Sequence, residues 1–215
     1  MKPAHLATIG LALGLPLAAQ DANFGIGISF AIPTGAYRSA DYPAYGAVPE
    51  PTHESYDNTV GVQFTISFPV RQSLAIRFDA YGHSTTGEDT TPGYASYNLE
   101  HDLLCLGGEA QWFPFRGDAF LHRGTYLLGG ASLDLERFSS SYGNPYWTGY
   151  TLYKTRLGGL AGIGYSFRPI GRWRTTAELA FHKTLTGYNS SSQAPAQSPA
   201  TPAADFIRAT YGVIF

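Results

Sequence analysis

The chain ends in the stretch D-F-I-R-A-T-Y-G-V-I-F, residues 205–215, and its last residue is aromatic. Every second residue counted back from that phenylalanine is apolar: Val213, Tyr211, Ala209 and Ile207. The intervening positions are small or polar, with Ile214 as the one large apolar exception. A strand of this length with one apolar face suits a tilted crossing of a lipid bilayer. The terminal stretch therefore predicts a membrane-spanning strand.

The same period of two recurs in seven further segments of the chain. They lie near residues 24–32, 60–68, 74–81, 104–112, 126–136, 154–167 and 173–182. In each segment apolar residues alternate with small, polar or charged ones, which is the pattern of strands that have two different faces. Together with the terminal strand, the sequence predicts eight antiparallel strands.

The connections between these strands alternate in length. Long polar stretches lie near residues 35–58, 84–98, 138–150 and 187–204. The three remaining links are shorter, and each has a proline that is expected to mark a strand end: Pro69, Pro114 and Pro169. Short turns on one side and long loops on the other are typical of outer-membrane barrels, in which the short side is periplasmic. An even number of strands places both termini on that side.

The amino terminus predicts secretion. Lys2 precedes an apolar run over residues 6–17, and small residues follow at Ala18 and Ala19. This is the layout of a signal peptide over residues 1–19, cleaved to leave a barrel domain over residues 20–215. The alternative is a membrane anchor helix, but the run contains two glycines and a proline and is shorter than the roughly 20 residues that a span requires.

The composition narrows the class of protein further. Only 14% of residues are charged, against roughly 25% in an average soluble domain. The formal net charge is −2, and no cluster of basic residues is visible in the sequence. A nucleic acid is therefore not expected as a partner. One cysteine, Cys105, excludes an internal disulfide framework and is expected to be packed.

The alternating segments and the terminal strand together resemble the family of small eight-stranded bacterial outer-membrane β-barrels, which includes OmpA-like and OmpX-like proteins. The resemblance covers essentially the whole mature chain. It implies an all-β, eight-stranded, antiparallel up-and-down transmembrane β-barrel, surrounded by outer-membrane lipid. In this family the barrel assembly machinery recognises a terminal phenylalanine preceded by alternating apolar residues. The resemblance therefore implies an assembly signal at Tyr211, Val213 and Phe215.

A secreted lipocalin-like barrel also has eight alternating strands, with its apolar face inside. The polar face of this chain decides between the two alternatives. It is rich in glycine and serine, and the chain has only three lysines, whereas a solvated exterior is normally richer in charge. Small residues with a few charges instead fit the interior of a narrow barrel. The sequence therefore favours the membrane barrel.

Ten charged residues fall on the predicted inward face, five basic and five acidic. They are Arg77, Asp79, Glu109, Asp134, Glu136, Lys154, Arg156, Arg174, Glu178 and Arg208. Buried charges must be paired, so an ion-pair network that fills the lumen is expected. Asp134 and Glu136 are expected to pair with Lys154 and Arg156 across one hairpin. The alternative interpretation is a polar path or gate.

One segment bears on catalysis. His182 and Thr184 resemble, faintly, the His-x-Ser segment of outer-membrane lipid A deacylases, in which a hydroxyl, a histidine and a carboxylate cooperate. Threonine replaces the serine here, no acid lies between His182 and Asp205, and both side chains are predicted to face inward. The sequence therefore predicts no enzyme, and no catalytic, cofactor or metal site is expected.

The predicted loops carry the remaining functional signal. The first and third are rich in tyrosine: Tyr37, Tyr42, Tyr45 and Tyr56, then Tyr142, Tyr146 and Tyr150 with Trp147. Loops on a rigid scaffold often carry recognition, although aromatic residues also form interfacial belts. The resemblance implies a structural or surface-interaction role, such as adhesion or ligand binding, through four extracellular loops. The alternatives are a narrow channel for small or apolar solutes and, third, a lipid A deacylase.

Overall fold

The computed structural model describes residues 22–42, 52–90, 97–114, 118–119, 121–141, 150–167, 173–186 and 203–215. These residues form ten strands: β1 (Asn23–Pro33), β2 (Ser39–Tyr42), β3 (Thr52–Tyr56), β4 (Thr59–Arg71), β5 (Leu74–Thr90), β6 (Tyr97–Trp112), β7 (Gly124–Ser141), β8 (Tyr150–Ser166), β9 (Arg174–Thr184) and β10 (Phe206–Ile214). No helix within this part of the chain is long and apolar enough to cross a membrane. The predicted signal peptide lies outside the described residues.

Eight strands close into an antiparallel barrel, and the predicted fold class is confirmed. They pair in the order β5, β4, β1, β10, β9, β8, β7, β6, and β6 returns to β5. The first and last strands are joined from Gly25 opposite Ile214 to Pro33 opposite Phe206. This closure leaves the ring of strands without an unpaired edge. Below, the turn end is the end at which Phe24 and Phe215 meet, and the loop end is the opposite one.

The outward face of the barrel is apolar. Large side chains from every barrel strand are exposed on it, including Ile28, Phe64, Phe78, Leu106, Leu133, Ile163, Leu179 and Tyr211. Four aromatic side chains are exposed on the outer face at the turn end: Trp112, Phe167, Trp173 and Phe215. A lipocalin-like barrel would hold such side chains inside, so that alternative is wrong for this chain.

Four strands are longer than the sequence predicted. β5 continues to Thr90 and β6 already begins at Tyr97, so the loop expected over 84–98 is largely strand. β7 likewise reaches Ser141, and β8 already begins at Tyr150, both within the loop expected over 138–150. Beyond the bilayer the outer face of a strand meets water instead of lipid, so its outward positions are no longer apolar although the backbone pairing continues.

The first long connection also contains structure. After β1, a 3-10 turn over Gly35–Tyr37 begins with a positive φ of 56° at Gly35, a conformation that glycine adopts readily. The chain then forms the short β2–β3 hairpin. β3 extends the sheet beside β5, with Tyr56 opposite Gly87. The turn sends the Tyr37 side chain into the lumen, where it is buried.

Not every proline marks the end of a strand as the sequence predicted. Pro114 follows the end of β6, but β4 continues past Pro69 to Arg71 with a shift of register between them. A bulge accommodates a proline because one residue there is released from the ladder. Pro169 lies outside the described residues.

Candidate functional site

The lumen holds most of the charged residues that the sequence singled out. Eight of the ten have buried side chains inside the barrel: Arg77, Asp79, Glu109, Asp134, Glu136, Arg156, Glu178 and Arg208. Lys154 and Arg174 are half-buried, and Lys154 lies opposite Glu136 in the ladder between β7 and β8. The inward direction follows from the pleat, since alternate residues of one strand share a face.

Arg77 is the centre of the first cluster. Its Nε donates to Glu109 Oε2 at 2.8 Å, and its Nη2 donates to Glu178 Oε2 at 3.1 Å. The hydroxyl of Tyr126 donates to the other oxygen of Glu178 at 2.7 Å. One guanidinium thus serves two carboxylates on β6 and β9, which is the planar, multiple contact for which arginine is suited.

Arg208 forms a second cluster. Its Nη1 lies 3.3 Å from Asp79 Oδ2, which also accepts from Gln63 Nε2 at 3.2 Å. Its guanidinium carbon lies 4.8 Å from the centre of the Tyr81 ring, a cation–π contact. These contacts join β10, β4 and β5 inside the barrel.

The hairpin of β7 and β8 pairs differently from the expectation. Arg156 Nε lies 3.1 Å from Glu136 Oε2, so one of the expected pairs is present. Asp134 lies opposite Arg156 in the ladder, but its side chain is hydrogen-bonded to Ser132 and His182 instead. Ladder register fixes which residues are adjacent, whereas the length and rotamer of each side chain decide which atoms meet.

His182 reaches a carboxylate that the sequence did not connect with it. Its Nε2 lies 3.1 Å from Asp134 Oδ2 and 3.1 Å from Ser132 Oγ, while its Nδ1 faces the carbonyl of Ala204 at 3.0 Å. In an acyl-transfer relay the hydroxyl and the acid occupy opposite ring nitrogens. Here both approach Nε2, so the geometry does not reproduce the relay of a deacylase. Thr184 is buried in the lumen as predicted.

Cys105 belongs to the same place. It lies opposite Asp134 in the ladder between β6 and β7 and is buried, in agreement with the expectation that it is packed. The donor atoms of Cys105, Asp134 and His182 all lie within 4.8 Å of one another. The three residues are far apart in sequence and on three strands, so no spacing pattern revealed them.

Aromatic and histidine side chains cover the lumen at the loop end. The Tyr37 hydroxyl lies 2.5 Å from His101 Nδ1 and 3.3 Å from His83 Nε2. The His101 ring stacks on Phe138 at 4.0 Å between centroids, and the Tyr56 ring lies 5.2 Å from that of Tyr37. These five residues form the loop-end lid. From the sequence, Tyr37, Tyr56 and Phe138 were expected in loops, and neither histidine was singled out.

A second lid covers the turn end. The backbone N–H groups of Phe113 and Ala119 donate to the carbonyls of Ser73 and Gln72, which holds these two residues at the mouth. Phe113, Ala119 and His122 are buried there against Tyr126. Burial, assisted by the Arg77 guanidinium, lowers the pKa of His122 to about 4. The sequence predicted only a short turn at this position.

The residues of the predicted assembly signal lie on the last strand. Tyr211 and Phe215 are exposed on the outer face, and Val213 is half-buried. The Phe215 N–H donates to the Phe24 carbonyl at 2.8 Å, and the Phe24 N–H donates back at 3.1 Å. The terminal residue therefore completes the seam between β1 and β10.

Three solved structures are similar to this chain at low sequence identity. The outer membrane protein OprG from Pseudomonas aeruginosa matches with a TM-score of 0.59 and 10% identity over 91% of this chain and 96% of OprG. Neisserial surface protein A, NspA, gives 0.46 and 13% over 90% and 96%. The translocator domain of the autotransporter NalP from Neisseria meningitidis gives 0.42 and 13% over 98% and 95%. No protein-family model and no curated protein matches the chain.

The fold defines the class of protein. A closed eight-stranded barrel with an apolar exterior and paired charges inside is a transmembrane β-barrel, and the likeness to OprG is a likeness of fold. Within that class, the comparisons do not single out the OmpA-like or OmpX-like proteins that the sequence resembled.

Proposed function

We propose that the protein is a non-conducting, non-enzymatic barrel of the bacterial outer membrane with a structural or surface-interaction role. A signal peptide over residues 1–19 would deliver it, and the strand that carries Tyr211, Val213 and Phe215 would direct its assembly. The likeness in fold to OprG, an outer membrane protein, supports the location. The exposed apolar belt supports contact with outer-membrane lipid.

The burial of the lumen charges carries the proposal. Arg77 is 3% exposed, Glu109 4% and Asp134 0%, so solvent does not reach the groups that would line a pore. A conducting pore keeps its lining wet, because ions cross it with water. The loop-end and turn-end lids add apolar and aromatic side chains above and below these charges. The lumen is thus built as a core, which favours a plugged barrel over the channel alternative.

The same burial argues against lipid A as a substrate. His182 is 1% exposed and faces the lumen, whereas a lipid would approach from the apolar exterior. Its partners Ser132 and Asp134 share one ring nitrogen. These observations support a role without catalysis.

Conductance across a planar lipid bilayer tests the plugged lumen. Purified protein is refolded in detergent, its folding is checked by the shift in gel mobility on boiling, and it is added at high salt beside a known porin. We expect no discrete current steps from this chain under conditions in which the porin conducts. Reproducible steps at the same protein concentration would establish the channel and reject the plugged barrel.

The surface role rests on the loop end. β5, β6, β7 and β8 are 16 to 18 residues long, more than the 9–11 that a tilted crossing requires. On the outer face Arg137 pairs with Asp102 at 2.8 Å and Glu100 at 3.2 Å, just beyond Leu104 and Leu135. Charges at that height mark the upper boundary of the apolar belt. β7 and β8 continue beyond it and flank the third predicted loop, which is rich in tyrosine.

Two experiments test the orientation and the surface role. In a Cys105→Ser background, Glu88→Cys at the loop end should react with a membrane-impermeant maleimide on intact cells, whereas Arg123→Cys at the turn end should not. The reverse labelling pattern would show that the barrel has the opposite orientation in the membrane.

Adhesion of cells to host surfaces or glycan arrays is then compared between the native protein and a variant with Tyr142, Tyr146 and Trp147 changed to serine. Equal binding by folded protein of both kinds would exclude recognition through this loop.

A further inference from the structure

Cys105 on β6, Asp134 on β7 and His182 on β9 bring a sulfur, a carboxylate and an imidazole to one point of the lumen, all within 4.8 Å of one another. We propose that these three residues form a buried binding site for Zn²⁺. Thiolate, imidazole and carboxylate are the ligands that zinc uses in proteins, and a thiolate is foreign to calcium and magnesium sites. The site is independent of the surface role proposed above, which requires no metal.

The hydrogen bond behind His182 prepares the ring for a metal. Nδ1 lies 3.0 Å from the carbonyl oxygen of Ala204, which can only accept, so Nδ1 carries the proton. In the neutral ring Nε2 then keeps a lone pair, and that lone pair faces Asp134. Histidines that bind metals usually donate their other N–H to a carbonyl or a carboxylate in this way.

Asp134 presents an unsatisfied oxygen to that lone pair. Its side chain is fully buried, and Oδ1 accepts from Ser132 at 2.7 Å, but Oδ2 has no hydrogen-bond partner although Nε2 is only 3.1 Å away. Two acceptors at this distance repel unless a proton or a metal ion lies between them. Ligands about 2.0–2.1 Å from a tetrahedral zinc are roughly 3.3 Å apart, which is close to the observed separation.

Cys105 distinguishes a metal site from a simple ion pair. A proton shared between His182 and Asp134 would satisfy both of them without a third residue. The cysteine nevertheless lies directly opposite Asp134 in the ladder, with its sulfur among the converging donor atoms. A thiolate and a carboxylate carry two negative charges, and one divalent ion neutralises both inside a lumen where unpaired charge is costly. Binding by the thiol releases its proton to solvent.

Gly158 on β8 makes the convergence possible. β8 lies between β7 and β9, and His182 reaches Asp134 only by passing over this strand. A Cβ at position 158 would lie 2.4 Å from His182 Nε2, 2.4 Å from Ser132 Oγ and 2.6 Å from Asp134 Oδ2. The absent side chain thus leaves the space in which the polar atoms from the two flanking strands meet.

Cobalt provides a direct readout, because Co²⁺ replaces Zn²⁺ and a cobalt–thiolate bond absorbs in the near ultraviolet. The chain contains a single cysteine, so such a band from the native protein can arise only at Cys105. The ion is supplied during refolding into detergent, since the closed barrel buries the site. We expect about one ion per chain, a thiolate charge-transfer band, and displacement of cobalt by zinc.

Two variants separate the site from adventitious binding. Cys105→Ser should abolish the thiolate band and weaken zinc binding by more than about tenfold. Removing a group that only orients a metal ligand already weakens binding by about 10–100-fold, so removing a ligand should weaken it at least as much. His122→Asn removes a buried histidine at the turn end and should leave both unchanged. Folded native protein that binds neither ion, or binds cobalt without the thiolate band, would overturn the proposal. Because the native spectrum decides, the test stands even where Cys105→Ser fails to fold.

Discussion

Arg77 and Glu178 join opposite walls of the barrel, with Nη2 of the arginine 3.1 Å from Oε2 of the glutamate. Their strands, β5 and β9, are separated by three strands in either direction around the ring. Both side chains are buried, and Glu109 shares the same guanidinium. This contact ties together strands that have no backbone hydrogen bond between them.

We predict that Arg77→Ala lowers the free energy of unfolding by about 3–5 kcal/mol, because it leaves two buried carboxylates without their cation. Arg137→Ala is the matched control. Arg137 also contacts two acids, but on the half-exposed outer face, where a pair contributes about 1 kcal/mol or less. Urea unfolding in detergent micelles, followed by tryptophan fluorescence, measures both. Equal losses in the two variants would show that the cross-lumen pair is not a stabilising contact.

The facing of the strands predicts how added charge is tolerated. Ala131 lies on the exposed face of β7, midway between Leu127 and Leu135 in the apolar belt. Ala131→Arg should destabilise the barrel in phospholipid vesicles by about 2–4 kcal/mol, the cost of a cation near the centre of a bilayer. Ser139→Arg, on the same strand but beyond Arg137, should cost about 1 kcal/mol or less. A larger loss of stability for Ser139→Arg than for Ala131→Arg would show that the apolar belt is not centred near Ala131.

Two glycines test the close approach above β8. Gly158→Ala places a methyl group within 2.6 Å of three side-chain atoms and should cost about 1–3 kcal/mol through overpacking. At Gly129 of β7, the nearest neighbour of a new methyl group is the Leu160 carbonyl oxygen at 3.7 Å. Gly129→Ala should therefore change stability by about 0.5 kcal/mol or less. Similar effects from both glycines in urea unfolding would remove the support for convergence over Gly158.

The turn-end lid predicts a dependence on pH. The pKa of His122 falls from 6.5 to about 4 on burial, so between these values the unfolded chain takes up a proton that the folded one refuses. Stability contributed by this group is complete above about pH 6.5 and declines as the pH falls toward 4, by up to about 3 kcal/mol. His122→Asn removes the titrating group and suits the positive φ of 42° there.

Unfolding midpoints of the native protein and of His122→Asn, compared from pH 7.5 to about 4, isolate the pH-dependent stability that His122 contributes. The other histidines are common to both proteins, so only the change in their difference with pH is informative. We expect the stability of the native protein relative to the variant to decrease on acidification. A difference that stays constant across the range would mean that His122 is not buried in its neutral form.

The sequence predicted the facing of the charges but not their partners. Alternation along a strand states which side chains point inward, because the pleat has a period of two. It does not state which strands stand opposite across the lumen. Arg77 was therefore expected inside, yet its contact with Glu178 depends on closure of the ring. For the same reason Asp134 was expected to pair along its hairpin and instead contacts His182, two strands away.

The lids were missed for a related reason. Tyr37 enters the lumen because a 3-10 turn reverses the chain after β1, and Ala119 covers the opposite mouth through backbone hydrogen bonds to the link between β4 and β5. Neither segment has a periodic pattern, since its environment is a mouth of the barrel and not a regular face. In the sequence, a loop tyrosine that is buried in the lumen cannot be distinguished from one that is exposed on the surface.

The class of fold, the approximate strands and the separation of an apolar exterior from a polar interior could all be predicted from the sequence. Those properties follow from local alternation and from the alternating lengths of the connections, which are recorded residue by residue along the chain. The cross-lumen pairs, the two lids and the meeting of Cys105, Asp134 and His182 became visible only in the folded barrel. These features depend on closure of the barrel and on the space left at Gly158. Contacts between strands that are distant along the chain produce no repeating pattern in a single sequence.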